Sequence, residues 1–273
     1  MSRSNVIRAN DKVRAVIFLV HGLGASSEQF HAEAIAFSRQ GHRVLVPDLR
    51  GHGLSGVPAK IDPTGFTGPA LAQDLLDILD QAGAGQVHWV GNSLGGILAL
   101  YLLGTPAEKR LETLALFGTC FSLDLPAATS LALRLVFLPG APVIAWLTAR
   151  GTTRSPQGGA IIKKAMRQFN VVAGAAITAN IRRYDFLESA RAFNPPLLVL
   201  RGGRDRAVNL RLKGDMEKLL DSPNLRFVEL KRGGHCANLD VPVQWRTSLL
   251  GHWTHQRSAD GRNQAPDRRA SSV

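Results

Sequence analysis

Val16–Val20 is an unbroken apolar run of β-branched and aromatic residues that stops at His21-Gly22, the pattern of a strand buried on both faces. Similar short runs follow at Val44–Val46, Val87–Val90, Leu114–Phe117 and Leu197–Leu200, and Leu225–Leu230 reads as a sixth strand. Between them, apolar positions fall at helical spacing over 26–40, 70–82, 97–103, 210–220 and 241–253. Ser26 and Ser27 are candidate caps for the first of these helices, and Gly41 stops it. Continuous apolar strands that alternate with helices predict an α/β fold whose mostly parallel sheet carries helices on both faces. In such sheets, ligands bind at the carboxyl ends of the strands.

The alternation breaks once. Residues 121–193 show no convincing strand pattern, two helical stretches and several prolines, among them Pro139, Pro142 and Pro156. This predicts a helical insertion over the carboxyl edge of the sheet. It divides the core into 1–120 and 194–253. The polar residues 254–273 read as a disordered tail.

The 273 residues are 45% apolar and 20% charged, enough to bury a sizeable core. A net charge of +12 raises the question of nucleic acid or anionic surfaces. The insertion holds nine basic residues against three acids, half of that excess. No recognition motif accompanies the charge and aromatic residues make up only 6%, so a nucleic-acid partner is not expected. Two cysteines, Cys120 and Cys236, exclude a disulfide scaffold. The first dozen residues lack a signal-peptide core. The most apolar stretch, 131–149, is broken by Arg134, Pro139, Gly140 and Pro142, which argues against a membrane span. A soluble, cytoplasmic protein is expected.

The sharpest chemical signal is Gly91-Asn92-Ser93-Leu94-Gly95, after a strand and before a helix. A nucleophilic hydroxyl must project from the backbone, and a strand-to-helix turn with small neighbours provides this. Ser93 is therefore the candidate nucleophile. His235, in Gly233-Gly234-His235 after the last strand, is the candidate base. Asp205 follows the fifth strand and is the candidate acid, with Asp124 as its rival; Arg204 and Arg206 flank Asp205 as ordinary ion-pair partners would. The backbone amides of Leu94 and Leu23 are the candidate oxyanion donors, and His21 reads as a structural, hydrogen-bonded histidine. Two further patterns lead nowhere. Gly51–Gly56 fits G-x-G-x-x-G, but Pro58 and Pro63 follow where a pyrophosphate-binding helix would start. His252 and His255 have no cluster of Cys or carboxylates with which to hold a metal.

These residues resemble the α/β-hydrolase family over almost the whole chain. His21-Gly22-Leu23-Gly24, the segment 47–55, the elbow 91–96, the Asp205 loop and Gly233-Gly234-His235 with Pro242 beyond all fall in family order. The resemblance implies a Ser93–His235–Asp205 triad, an oxyanion hole at Leu23 and Leu94, a helical cap over 121–193, and no metal or organic cofactor. About a dozen residues precede the first strong strand, so the family's opening antiparallel hairpin is expected to be shortened or missing. Ser93 disfavours haloalkane dehalogenases and epoxide hydrolases, which use aspartate at the elbow. Cys236 stands where meta-cleavage C–C hydrolases usually carry tryptophan.

The expected activity is cleavage of a carboxylic ester through an acyl-enzyme. Leu133, Val136, Phe137, Ile144, Trp146 and Leu147 suggest a hydrophobic acyl or lipid-like substrate, or else simply pack the cap on the body. The alternatives are a C–C hydrolase, thioesterase or lactonase on the same fold, or a non-catalytic ligand-binding module. The basic face around Lys163, Lys164, Arg167, Arg182 and Arg183 suits peripheral contact with anionic lipid, or is simply a solvated helix face.

Overall fold

The computed structural model describes residues 4–7, 14–128 and 141–260. Among them, seven strands form the main sheet: β1 (Ser4–Ile7), β2 (Val16–Val20), β3 (Arg43–Pro47), β4 (Val87–Asn92), β5 (Leu111–Phe117), β8 (Leu197–Gly202) and β9 (Leu225–Leu230). Their order is β1-β3-β2-β4-β5-β8-β9. All neighbours run parallel except β1, which pairs antiparallel with β3. The six strands expected from the sequence are all present. A single four-residue strand occupies the place of the shortened opening hairpin.

Alternation along the strands divides the core into two faces. Ile17 and Leu19 of β2 pack with Phe30, with Phe37 of α1 (His31–Ser38), and with Trp245, Leu249 and Trp253 of α10 (Pro242–Asp260). Phe18 and Val20 point the other way, onto Leu71 and Leu75 of α2 (Gly68–Gln81) and Leu98 of α3 (Leu94–Leu100). Each such side chain, fully buried, contributes about 1.5–3 kcal/mol. α10 continues through Asp260, so the expected tail is helical over 254–260; 261–273 lie outside the described residues.

The segment 121–193 also departs from expectation. Two three-residue strands, β6 (Ser122–Asp124) and β7 (Arg183–Asp185), close its root as an antiparallel ribbon. Its described part carries α4 (Ala141–Thr152), α5 (Pro156–Gln168), α6 (Val171–Ile181) and α7 (Leu187–Ala192), more helix than the two stretches expected. These helices lie against loops that leave the carboxyl ends of strands. Met166 of α5 crowds Gly24, the Asn170 amide donates to the Gly51 carbonyl at 3.1 Å, and the Cys236 amide donates to the Thr152 carbonyl at 2.8 Å. Ile144, Ala145, Ala149, Ile162 and Met166 form a buried cluster with Ala25 and Cys236. Ile144 thus packs the insertion onto the body, whereas Trp146 and Leu147 face solvent, with the Arg150 guanidinium 4.9 Å from the Trp146 ring centre. Leu133, Val136 and Phe137 lie outside the described residues. No helix among the described residues is long and apolar enough to cross a membrane.

Candidate active site

The register Val20↔Gly91 sets the ends of β2 and β4 side by side, where the chain departs in opposite directions toward β3 and β5. Two loops meet there. Ser93, between β4 and α3, has φ 51° and ψ −116° and is the one non-glycine residue at positive φ among the described residues. Such a conformation costs about 1–3 kcal/mol and persists only where its surroundings enforce it. Here the Ser93 amide donates to the Phe117 carbonyl at 2.9 Å. The Ser93 carbonyl accepts from the Gly96 and Ile97 amides, both at 2.9 Å, and from Thr119 Oγ1 at 3.1 Å. Glycine at 91 and 95 is required by close approach: a Cβ on Gly91 would fall 2.5 Å from the Gly96 backbone, and one on Gly95 would collide with the Val20 carbonyl.

The second loop brings Gly22 against the elbow, where an added Cβ would sit 3.0 Å from Ser93 Cβ. The next amide, that of Leu23, donates to no acceptor among the described residues. Leu94 opens α3, so its amide belongs to the helix's first turn and lacks an intrahelical acceptor. These two amides, one beside the elbow and one at its helix, are the candidate donors for a developing oxyanion. His21 is fully buried; its Nδ1–H donates to the Gly22 carbonyl at 2.8 Å and its Nε2 accepts from the Leu49 amide at 3.1 Å. Burial holds it below the usual histidine pKa, and it serves as a brace for the loop.

The candidate acid and base come from the loops after the adjacent strands β8 and β9. His235 Nδ1 lies 2.9 Å from Asp205 Oδ2, with the histidine side chain 13% and the carboxylate 1% exposed. A carboxylate accepts, so Nδ1 carries the proton and Nε2 remains an acceptor for a hydroxyl. Burial pushes the Asp205 pKa up, but the His235 hydrogen bond and charge and the Ala207 and Val208 amides outweigh it and hold the carboxyl below the usual aspartate range. A depressed pKa stabilises the fold above the value for an unfolded aspartate, about 3.9, and that contribution is lost as pH falls through the folded value. Asp124, the rival acid, lies in the ribbon and pairs with Arg183 at 2.9 Å, both side chains more than half exposed. It is not a partner of His235.

A buried amide network that the motifs did not reveal joins these loops. Asn92 Nδ2 donates to the His235 carbonyl at 3.0 Å and the Phe117 carbonyl at 3.1 Å. Asn92 Oδ1 accepts from Gln29 Nε2 at 2.9 Å, Gln29 Nε2 also reaches Asn238 Oδ1 at 3.1 Å, and Asn238 Nδ2 returns to the Gln29 carbonyl at 2.9 Å. The residue before Ser93 is thereby tied to the residue that carries the imidazole. Asp48 plays a similar part for the first loop, accepting from the Ser27 amide at 2.6 Å and the Leu54 amide at 2.9 Å. Cys236, next to His235, is buried with its thiol pushed up to about 12, chiefly by burial, and is chemically quiet.

A serine hydroxyl on a strained turn, a carboxylate-bound imidazole and free backbone amides are the groups that acyl transfer uses. Comparison with known proteins agrees with the architecture. Residues 15–139 match the family model described as alpha/beta hydrolase fold. The carbamate hydrolase candidate RutD of Pseudomonas savastanoi pv. phaseolicola is 27% identical, over 86% of this chain and 92% of its own. The magnesium-chelatase 30 kDa subunit of Rhodobacter capsulatus is also 27% identical, over 87% and 86%. The enol-lactonase of Burkholderia xenovorans LB400 superposes with a TM-score of 0.80 at 22% identity, covering 93% of this chain and 96% of that one. By its sheet order and these matches, this chain has the α/β-hydrolase fold.

Proposed function

We propose that the protein is a serine hydrolase that cleaves a carboxylic ester, with Ser93 as nucleophile, His235 as general base and acid, and Asp205 as the group that orients and stabilises the imidazolium. Ser93 Oγ attacks the ester carbonyl as His235 Nε2 takes its proton. The Leu23 and Leu94 amides hold the tetrahedral oxyanion. His235 then protonates the departing alcohol, and water repeats the sequence on the acyl-enzyme. The observation that carries this reading is the forced positive φ of Ser93 at the edge of the sheet where the His235–Asp205 pair also stands. The described part of residues 121–193 forms a cap over that edge, on the strength of its contacts with the loops at 24, 51 and 236.

Turnover of p-nitrophenyl esters from acetate to palmitate tests the activity, and a fluorophosphonate tests the nucleophile. Hydrolysis together with Ser93 labelling is the expected result; neither at any chain length would remove the ester reading in favour of a binding module. Asp205→Asn is expected to lower kcat by ~10⁴, because an amide at this position leaves the imidazole in the wrong tautomer. A loss under tenfold would show that Asp205 is not the orienting acid.

A further inference from the structure

Behind the acid loop lies an open cleft of about 790 Å³, within the size range of small-molecule sites. Five cationic side chains line it. Arg201 comes from β8, Arg204 and Arg206 from the loop around Asp205, Lys213 from α8 (Asn209–Leu219), and Arg154 from the turn between α4 and α5. The sequence suggests that Arg204 and Arg206 are neutralised by Asp205. They are not. The Asp205 carboxylate is committed to His235 and to the Ala207 amide at 2.8 Å. Among the described residues, Arg154, Arg204, Arg206 and Lys213 form no ion pair with any carboxylate. Arg201 has only a long contact to Glu229, at 3.9 Å, and its buried Nε–H lacks an acceptor. The first turn of α8, at the cleft wall, carries no side-chain cap, which adds a positive dipole end to the same space.

Like charges gathered at one concavity repel one another. We infer that this cleft binds a small molecule carrying several negative charges of the phosphate type, such as a di- or polyphosphorylated metabolite. Three arginines and a lysine on the body supply planar forks and a point charge suited to phosphate oxygens, and Arg154 closes the site from the insertion. Fully exposed Leu210 at the rim gives the ligand's organic part a place to rest. Binding here needs no turnover, so the inference stands or falls apart from ester hydrolysis.

Isothermal titration of the full chain with tripolyphosphate is the test. The expected result is saturable one-to-one binding that weakens steeply between about 0.05 and 0.5 M NaCl. It should weaken by at least about tenfold in the pair Arg204→Glu/Arg206→Glu, where attraction becomes repulsion. The pair Lys163→Glu/Arg167→Glu, with the same change in net charge on another face, should bind as the parent does. Equal weakening in both pairs would overturn the inference, since it would report only overall charge. So would the absence of saturable binding, or a preference of more than about tenfold for a uridine decamer or for phosphatidylglycerol vesicles over tripolyphosphate.

Discussion

Ser93→Ala is expected to reduce ester turnover by about 10⁶-fold, the scale on which a serine nucleophile acting as one unit with its histidine contributes. His235→Ala should cost nearly as much, and the double variant little more than either alone, because the two groups perform one proton transfer. The more discriminating substitution is Ser93→Gly. Alanine at φ 51° keeps the steric conflict between Cβ and the backbone, whereas glycine removes it. Ser93→Gly should therefore be inactive yet more stable than Ser93→Ala by about 1 kcal/mol, or about 2 °C in Tm. Thermal melts of the two variants, with p-nitrophenyl acetate turnover on the same samples, check both halves. A glycine variant that melts at or below the alanine variant would mean that the elbow stores no strain.

Asp215→Ala is expected to destabilise the fold by about 3–5 kcal/mol, out of a total of about 5–15 kcal/mol for a typical domain. Asp215 lies on α8 and is 1% exposed. Its carboxylate accepts from the Phe121 amide at 2.7 Å, the Ser122 amide at 2.9 Å and Ser122 Oγ at 2.6 Å. Truncation strands three buried donors and leaves Arg211, which donates from Nε to the Ser122 carbonyl and hydroxyl at 3.2 and 3.1 Å, without the adjacent charge. Asp215→Asn, which keeps one acceptor oxygen, should cost distinctly less. Urea titration of both variants gives the answer. A shift under 1 kcal/mol for the alanine variant would show that the root of the insertion is held by other contacts.

How much of this was readable from the chain depends on the range of the interactions. Strands β2 to β5 and β8 are buried along most of their length, so apolar runs mark them, whereas β9 lies at the sheet edge with Arg226, Phe227 and Glu229 exposed. β6 and β7 are three residues each, with Asp124 and Arg183 as an exposed pair, and exist because the two ends of the insertion meet. No local pattern encodes that meeting. Ser93, His235 and Asp205 stand out as candidates because each stands in a turn with its own residue signature just beyond a strand. Asn92 was visible as part of the elbow, but its role was not. Its partners Gln29 and His235 are 63 and 143 positions away, and Asn238 meets Gln29 across 209. Likewise, proximity in sequence suggested ion pairs for Arg204 and Arg206, while the backbone turn at 202–205 aims the carboxylate at His235 instead.

The pairing of β5 with β8 has a consequence for biosynthesis. Leu114–Phe117 receive their partner Leu197–Leu200 only after the whole insertion has been made, about 80 residues later. At about 5–20 residues per second, the nascent sheet exposes an apolar parallel edge for roughly 4–16 s. During that interval the chain displays Leu114, Ala115 and Leu116 to any strand that reaches them first, including one from a neighbouring ribosome. Yield in a cell should therefore depend on holdase chaperones and on translation speed across codons 118–196 more than on the equilibrium stability of the finished protein.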